Sequence, residues 1–458
     1  MFAATNGTMQ GAHSGAGAAP IWRRVEEGLF WAFVLLVADA PIWLGSNRPF
    51  AWYVNAAGTG CLMIAVLAVL LMSGQGRRLW IAGEKLRAPV LCFSLVVAWI
   101  LIQMVPGIYG EAASPWWPLA GEALGRELPD RITLAPTLTF IALGRLLTDA
   151  GVFWLAFQLC RDRDRARLLL IAVFATGCLV AAYALFDLAA GYADVLWIAK
   201  TAYRNDATGT FIVRNVFALY SGIAAFAGFE LFWQAIRARR IWTAGLLATG
   251  LLVLLAAIVL SHSRAASAIV LFCLFVMGLV RAATLAKSRA VLLYNLALGL
   301  GLLGAATLVA VSVLESRLLR LDDDWEGRLA IYRLVWGAIQ TRPLAGFGYG
   351  TFELMFPAFR DMSGWSSTSW VYAHNSYLET LAGLGIPAGA LLWAAILTPC
   401  FRCAGAILKP NRDLGAARVA VATFLALGLH SFVDFSIQIQ GVSITALALL
   451  GAGYARAS

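Results

Sequence analysis

Apolar runs of about 20 residues, the length a helix needs to cross a bilayer, recur along the whole chain. They start near Leu29, Ala51, Pro89, Leu138, Leu168, Phe211, Ile241, Ala266, Val291, Ser376, Ala417 and Ile437. About twelve crossing helices are therefore expected, since only helices satisfy every backbone group within one segment of hydrocarbon. The tenth has the least regular start, because it carries Glu379 and a mid-span Pro387. Between the ninth and tenth lies one long polar segment, residues 315–373. Within it, WEGRLAIYRLVWGAIQ sets Leu329, Tyr332, Val335, Trp336 and Ile339 at a helical period, which predicts an amphipathic helix. That helix is expected to break at TRPLAGFGYG, where proline and glycine oppose continuation. No strand precedes GFGYG, so it reads as a tight, backbone-exposing loop and not as a dinucleotide-binding one.

The composition agrees with lipid as the main solvent. Hydrophobic residues make up 61% of the 458 and charged ones 13%, with a mean hydropathy of +0.77, outside the range of water-soluble domains. The net charge of +10 does not point to nucleic acid, because the basic residues fall in short clusters between apolar runs and not on one face. WRR, RRLWIAGEKLR, RDRDRAR, RARR, RAATLAKSR and KPNRDLGAAR alternate with loops poorer in Lys and Arg. By the positive-inside rule both termini are expected in the cytoplasm and the 315–373 segment on the outer, periplasmic side. The expected organisation is a disordered cytoplasmic tail over 1–26, spans one to nine over 27–314, the large loop, and spans ten to twelve over 374–458. The seven cysteines lie in apolar runs or beside basic clusters, which indicates no disulfide framework, and Cys400 and Cys403 lack a second pair to complete a zinc site.

Ionisable groups at membrane depth or at its lip need a partner or a task. Arg264, in SHSRAA, sits in a short outer loop where topology disfavours it; it either snorkels to headgroup phosphates or binds an anion. Arg328 on the amphipathic helix, with Arg333 nearby, is a solvated charge or a second anion-binding group. Arg214 and Asn215 open the sixth span on the same side. His374 starts the tenth span, where histidine serves as a helix cap, an interfacial side chain or a proton-transfer group. Asp434, in HSFVDF, orients such a base or satisfies the neighbouring His430. Arg145 and Asp149, four apart in the fourth span, predict a buried ion pair. Outer arginines with one base and no divalent-cation motif suit chemistry on a phosphorylated lipid, because guanidinium groups grip phosphates bidentately. A carrier or lipid flippase remains the competing class, resting on Arg145, Asp149, Glu230 and the Pro387 break.

The order GTF…RN.FA, SHSRAA, R…W…P.AGFGYGTF, HNSYLE and HSFVDF resembles the superfamily of O-antigen ligases and O-antigen polymerases, over roughly residues 209–440. The resemblance implies an all-α membrane glycosyltransferase of the metal-independent, GT-C-like kind, using no cofactor. Its donor would be an undecaprenyl-pyrophosphate-linked oligosaccharide in the bacterial inner membrane, among membrane lipids. The acceptor would be a growing glycan for a polymerase, the reading favoured here, or the lipid A core for a ligase. It further implies that Arg264 and Arg328 hold the pyrophosphate and that His374 activates the acceptor hydroxyl. Arg214, Asn215, Asn375, Tyr377, Arg333 and Asp434 are expected to contact substrate, although at Arg214 family members often carry a neutral residue.

Overall fold

The computed structural model describes residues 18–107, 110, 113–285, 321–360, 370–407 and 414–458. Its helices are α1 (Ala18–Asp39), α2 (Pro49–Met72), α3 (Arg77–Lys85), α4 (Arg87–Met104), α5 (Trp116–Leu124), α6 (Pro136–Leu159), α7 (Arg163–Ala189) and α8 (Arg214–Arg237). They continue with α9 (Ile241–Leu260), α10 (Arg264–Leu285), α11 (Leu321–Thr341), α12 (Phe352–Met355), α13 (Ser376–Leu384), α14 (Ile386–Ile407), α15 (Gly415–His430) and α16 (Gln440–Ala457). A two-residue-per-strand hairpin, β1 (Asp194–Val195) with β2 (Ile198–Ala199), lies between α7 and α8.

Eight helices among the described residues are long and apolar enough to cross a membrane: α2, α4, α6 to α10, and α14. This makes the chain a mostly helical, multi-pass membrane protein. The spans expected near Leu29, Ala417 and Ile437 are helices as well, α1, α15 and α16. Charge in α1, the shortness of α15 and polar residues in α16 keep them out of that group. The span expected near Val291 lies outside the described residues. α1 begins at Ala18, so the WRRVE stretch assigned to the tail is helical.

The tenth expected span is divided. α13 ends at Leu384, Gly385 takes φ 77° and α14 begins at Ile386. Pro387 therefore sits in the first turn of α14, where its missing N–H costs nothing, and is not a mid-span break. Gly385 meets a steric need too, because a side chain there would run into the Leu344 carbonyl.

α8 is the most enclosed of these eight, with 83% of its apolar stretch buried. It packs against α7, α9, α10 and α15, while α16 packs against α6 and α15. Small residues allow these approaches: a side chain at Gly222 would strike Val270, and one at Gly177 would strike Ala224. Glu230 of α8, fully buried, accepts hydrogen bonds from Arg418 Nε and Nη2 (3.2 and 3.0 Å), from Arg281, and from Gln234 (3.0 Å). Its charge is thus committed to joining α8, α10 and α15, which removes one of the groups that suggested a carrier.

Basic residues gather at one end of the bundle. Glu26 pairs with Arg165 at 2.8 Å and Arg78 at 3.3 Å, Arg161 donates to the Arg78 carbonyl, and Arg456 donates to the Arg161 carbonyl. The other end carries the starts of α8, α10 and α16, the end of α15, and the segment from α11 to α13. There α11 packs on α13 through Ile331, Val335, Ala338 and Ile339, all buried. This is the expected amphipathic helix, rotated slightly from its sequence reading, since Trp336 is exposed. The following loop takes φ 67°, 103° and 80° at Gly346, Gly348 and Gly350. It is pinned by Phe347 N–H to the Ala382 carbonyl (2.9 Å) and Gly348 N–H to the Gly383 carbonyl (3.0 Å).

Candidate functional site

His374 lies in the short link before α13, with φ 51°, a conformation that a non-glycine residue holds only where its surroundings impose it. Three neighbours fix this link. Asn375 is the N-cap of α13, its Oδ1 accepting from Tyr377 N (3.1 Å) and Leu378 N (3.0 Å), as a capping amide does. Glu379 Oε2 accepts from Ala373 N (2.8 Å). Tyr332 of α11 donates its hydroxyl to the His374 carbonyl (2.8 Å) and lies 3.1 Å from the Phe432 carbonyl. The imidazole packs edge-on against Trp370 and Phe435. The cap of α13 is therefore Asn375, which leaves the His374 ring available for chemistry.

Asp434 sits between two histidines. Its Oδ1 lies 4.0 Å from His374 Nδ1, and its Oδ2 lies 3.7 Å from His430 Nε2. One fully buried carboxylate therefore faces both rings at ion-pair range, without a hydrogen bond to either. It is held there by Phe435 N–H, which donates to Oδ1 at 2.6 Å, and by Ser376 Oγ, which donates to the Asp434 carbonyl at 3.0 Å. Arg328 Nη1 donates to the neighbouring Val433 carbonyl (3.1 Å). Burial depresses the His374 pKa from its usual value; Asp434 works against that shift and Arg328 adds to it. The imidazole is accordingly neutral at pH 7 and able to accept a proton.

The structure gathers Arg328, Asn375, Tyr377 and Asp434 around His374, and Asn375 and Tyr377 among them make hydrogen bonds within the protein. Asn375 spends its amide on the cap and on the Phe432 carbonyl (3.2 Å), and Tyr377 donates its hydroxyl to the Gly428 carbonyl (2.9 Å). Both position the loop from within the protein. Arg333 is exposed on α11, while Asn215 is half-buried in the first turn of α8. Arg214 Nη1 donates to Asp206 Oδ2 at 2.7 Å, and Arg264 is half-buried at the start of α10. Tyr332, Glu379 and Asp206 were missed by the sequence reading. Tyr332 was legible only as an apolar position, and Glu379 only as a charge in a span.

Next to the His374 loop, a cavity of about 260 Å³ opens among α4, α6, α14, α15 and α16, reaching Ser376 and Glu379. Its walls are mainly apolar, with Arg145, Asp149 and Tyr349 among them. The ion pair expected between Arg145 and Asp149 does not form. Arg145 donates to the Gln438 carbonyl and stacks on Trp52 (4.5 Å), whereas Asp149 accepts from Ser443 Oγ (2.9 Å). Gln438, just before α16, and Ser443, in the first turn of α16, offer closer partners than the helix face the two residues share.

Residues 249–394 match a family model described as O-antigen ligase. The matched stretch contains Arg264, Arg328 and His374 and stops short of Asp434. No curated protein matches the chain. This match supports an O-antigen ligase and polymerase type of family for the domain it covers.

Proposed function

We propose that the protein is a glycosyltransferase of the bacterial inner membrane. It moves an undecaprenyl-pyrophosphate-linked glycan onto an acceptor hydroxyl at the periplasmic face. The observation that carries this reading is the meeting of His374, Asp434 and Arg328 at one end of a membrane-embedded bundle. A neutral imidazole beside a buried carboxylate is suited to take the acceptor proton, and the carboxylate stabilises the imidazolium that results. Arg328, with Arg264, supplies positive charge where the diphosphate departs. The basic far end of the bundle supports a cytoplasmic location for that end and a periplasmic one for His374. The cavity beside the His374 loop supports a lipid-borne substrate.

Transfer to the lipid A core and extension of the glycan itself use the same groups. The description of the matched family favours the ligase reaction, and polymerisation is the second reading. The purified protein in nanodiscs, given undecaprenyl-pyrophosphate oligosaccharide with and without lipid A core, distinguishes them. Glycosylated core is the ligase result, chain growth without core is the polymerase result, and no transfer to either acceptor refutes the proposal. Movement of the intact donor across the bilayer, with no bond broken, would identify a flippase.

A further inference from the structure

Two segments meet at the His374 end of the bundle without contributing to the base. One runs from the hairpin to α8 and the other joins α9 to α10; Ala207 N–H donates to the Leu260 carbonyl (3.0 Å) and ties them together. Asp206, buried, divides its carboxylate between them: Oδ2 accepts from Arg214 Nη1 and Oδ1 pairs with His262 Nδ1, each at 2.7 Å. His262 holds φ 52°, the same left-handed conformation as His374. Around this carboxylate are polar atoms that the protein leaves unmatched. Ser263 Oγ and Thr208 Oγ1, in side chains more than nine-tenths buried, and Arg214 Nε have no hydrogen-bond partner. Buried donors persist in that state where a ligand meets them. The starts of α8, at Arg214, and α10, at Arg264, bring two long-helix N-termini to the same place, each with unsatisfied N–H groups and the positive end of its dipole.

We propose that Arg214, His262, Ser263 and Thr208, organised by Asp206, form a phosphate-binding subsite that takes one phosphate of the lipid diphosphate. Asp206 directs the arginine and fixes the imidazole so that Nε2 is left for the ligand, and its own charge is spent on these two groups. Several fixed donors around one carboxylate match the oxygens of a phosphate better than a carboxylate or a neutral sugar. The location suits the donor, because α8 packs against residues 436–438, just beyond Asp434. This assignment deepens the glycosyltransferase reading and rests on it for the identity of the ligand.

The test measures binding without turnover, on the full chain in nanodiscs, with undecaprenyl pyrophosphate, inorganic pyrophosphate and inorganic phosphate as probes. His262→Gln and Ser263→Ala are each expected to weaken undecaprenyl pyrophosphate about ten-fold, with Asp206→Asn weakening it further. Competition by inorganic pyrophosphate would show that the anion suffices; lipid binding that falls in the variants without such competition would show that the headgroup is read on its lipid. Lipid affinity unchanged in folded His262→Gln and Ser263→Ala overturns the subsite, whatever inorganic phosphate does. Wild-type protein that binds the lipid yet transfers no glycan overturns the glycosyltransferase reading and leaves the subsite standing.

Discussion

Replacing Asp434 by Asn removes the negative charge shared by His374 and His430 while keeping the shape and an oxygen for Phe435 N–H. Taking the proton from an acceptor converts the His374 imidazole to an imidazolium, 4.0 Å from that carboxylate. At this separation and an effective dielectric of about 20, the attraction is about 4 kcal/mol. Part of it is recovered by relaxation and by water, so Asp434→Asn is expected to lower kcat about 10²- to 10³-fold. The donor KM should change little, because the carboxylate acts through the imidazole. The pH profile supplies a second readout. In the proposed reaction His374 is the neutral base, so the rate is expected to fall as pH drops through its pKa. Asp434 raises that pKa against the depressing effect of burial; without it the acid limb moves to still lower pH. The assay is transfer of lipid-linked oligosaccharide in nanodiscs between about pH 5 and 8, with thermal unfolding to confirm that the variant folds. A loss below about three-fold, or an acid limb displaced to higher pH, would refute the reasoning.

Arg328→Gln should displace the acid limb the opposite way, because Arg328 lowers the His374 pKa, and should raise the donor KM about ten-fold through lost phosphate contact. Tyr332→Phe, which deletes the hydroxyl holding the His374 and Phe432 carbonyls, is expected to cost about 1 kcal/mol of stability and several-fold in kcat; a kcat equal to wild type would show that the link needs no such tether. Glu230→Gln leaves Arg281 and Arg418 without their shared buried partner. Thermal unfolding in detergent should then show a loss of about 3–5 kcal/mol, with transfer per folded molecule unchanged. Gly385→Val forces a β-branched residue to φ 77° against the Leu344 carbonyl and should abolish accumulation of the protein in membranes, as immunoblotting would report.

Much of the bundle was legible from local pattern. Long apolar runs, an amphipathic stripe and glycine-proline breaks each report on a few consecutive turns, and α2, α4, α6 to α10 and α11 appear where those patterns put them. Errors arose where a local rule met a distant partner. Arg145 and Asp149 share a helix face, yet each found a better partner at Gln438 or Ser443. Trp336 fits the apolar period but is exposed, because α13 meets α11 along Ile331, Val335 and Ala338.

The sequence by itself determined the solvent of this protein, the run of its helices and the residue types available for chemistry, because hydropathy, charge and helix breaking are properties of neighbouring residues. Only the tertiary structure decided what those residues do together. It put Asp434 between His374 and His430, tied Arg214 to His262 through Asp206, and split Ser376–Ile407 at Gly385. Each of these depends on which helices pack side by side. That choice rests on steric fit and on pairing of buried polar groups across the bundle, neither of which is encoded in the spacing along one segment.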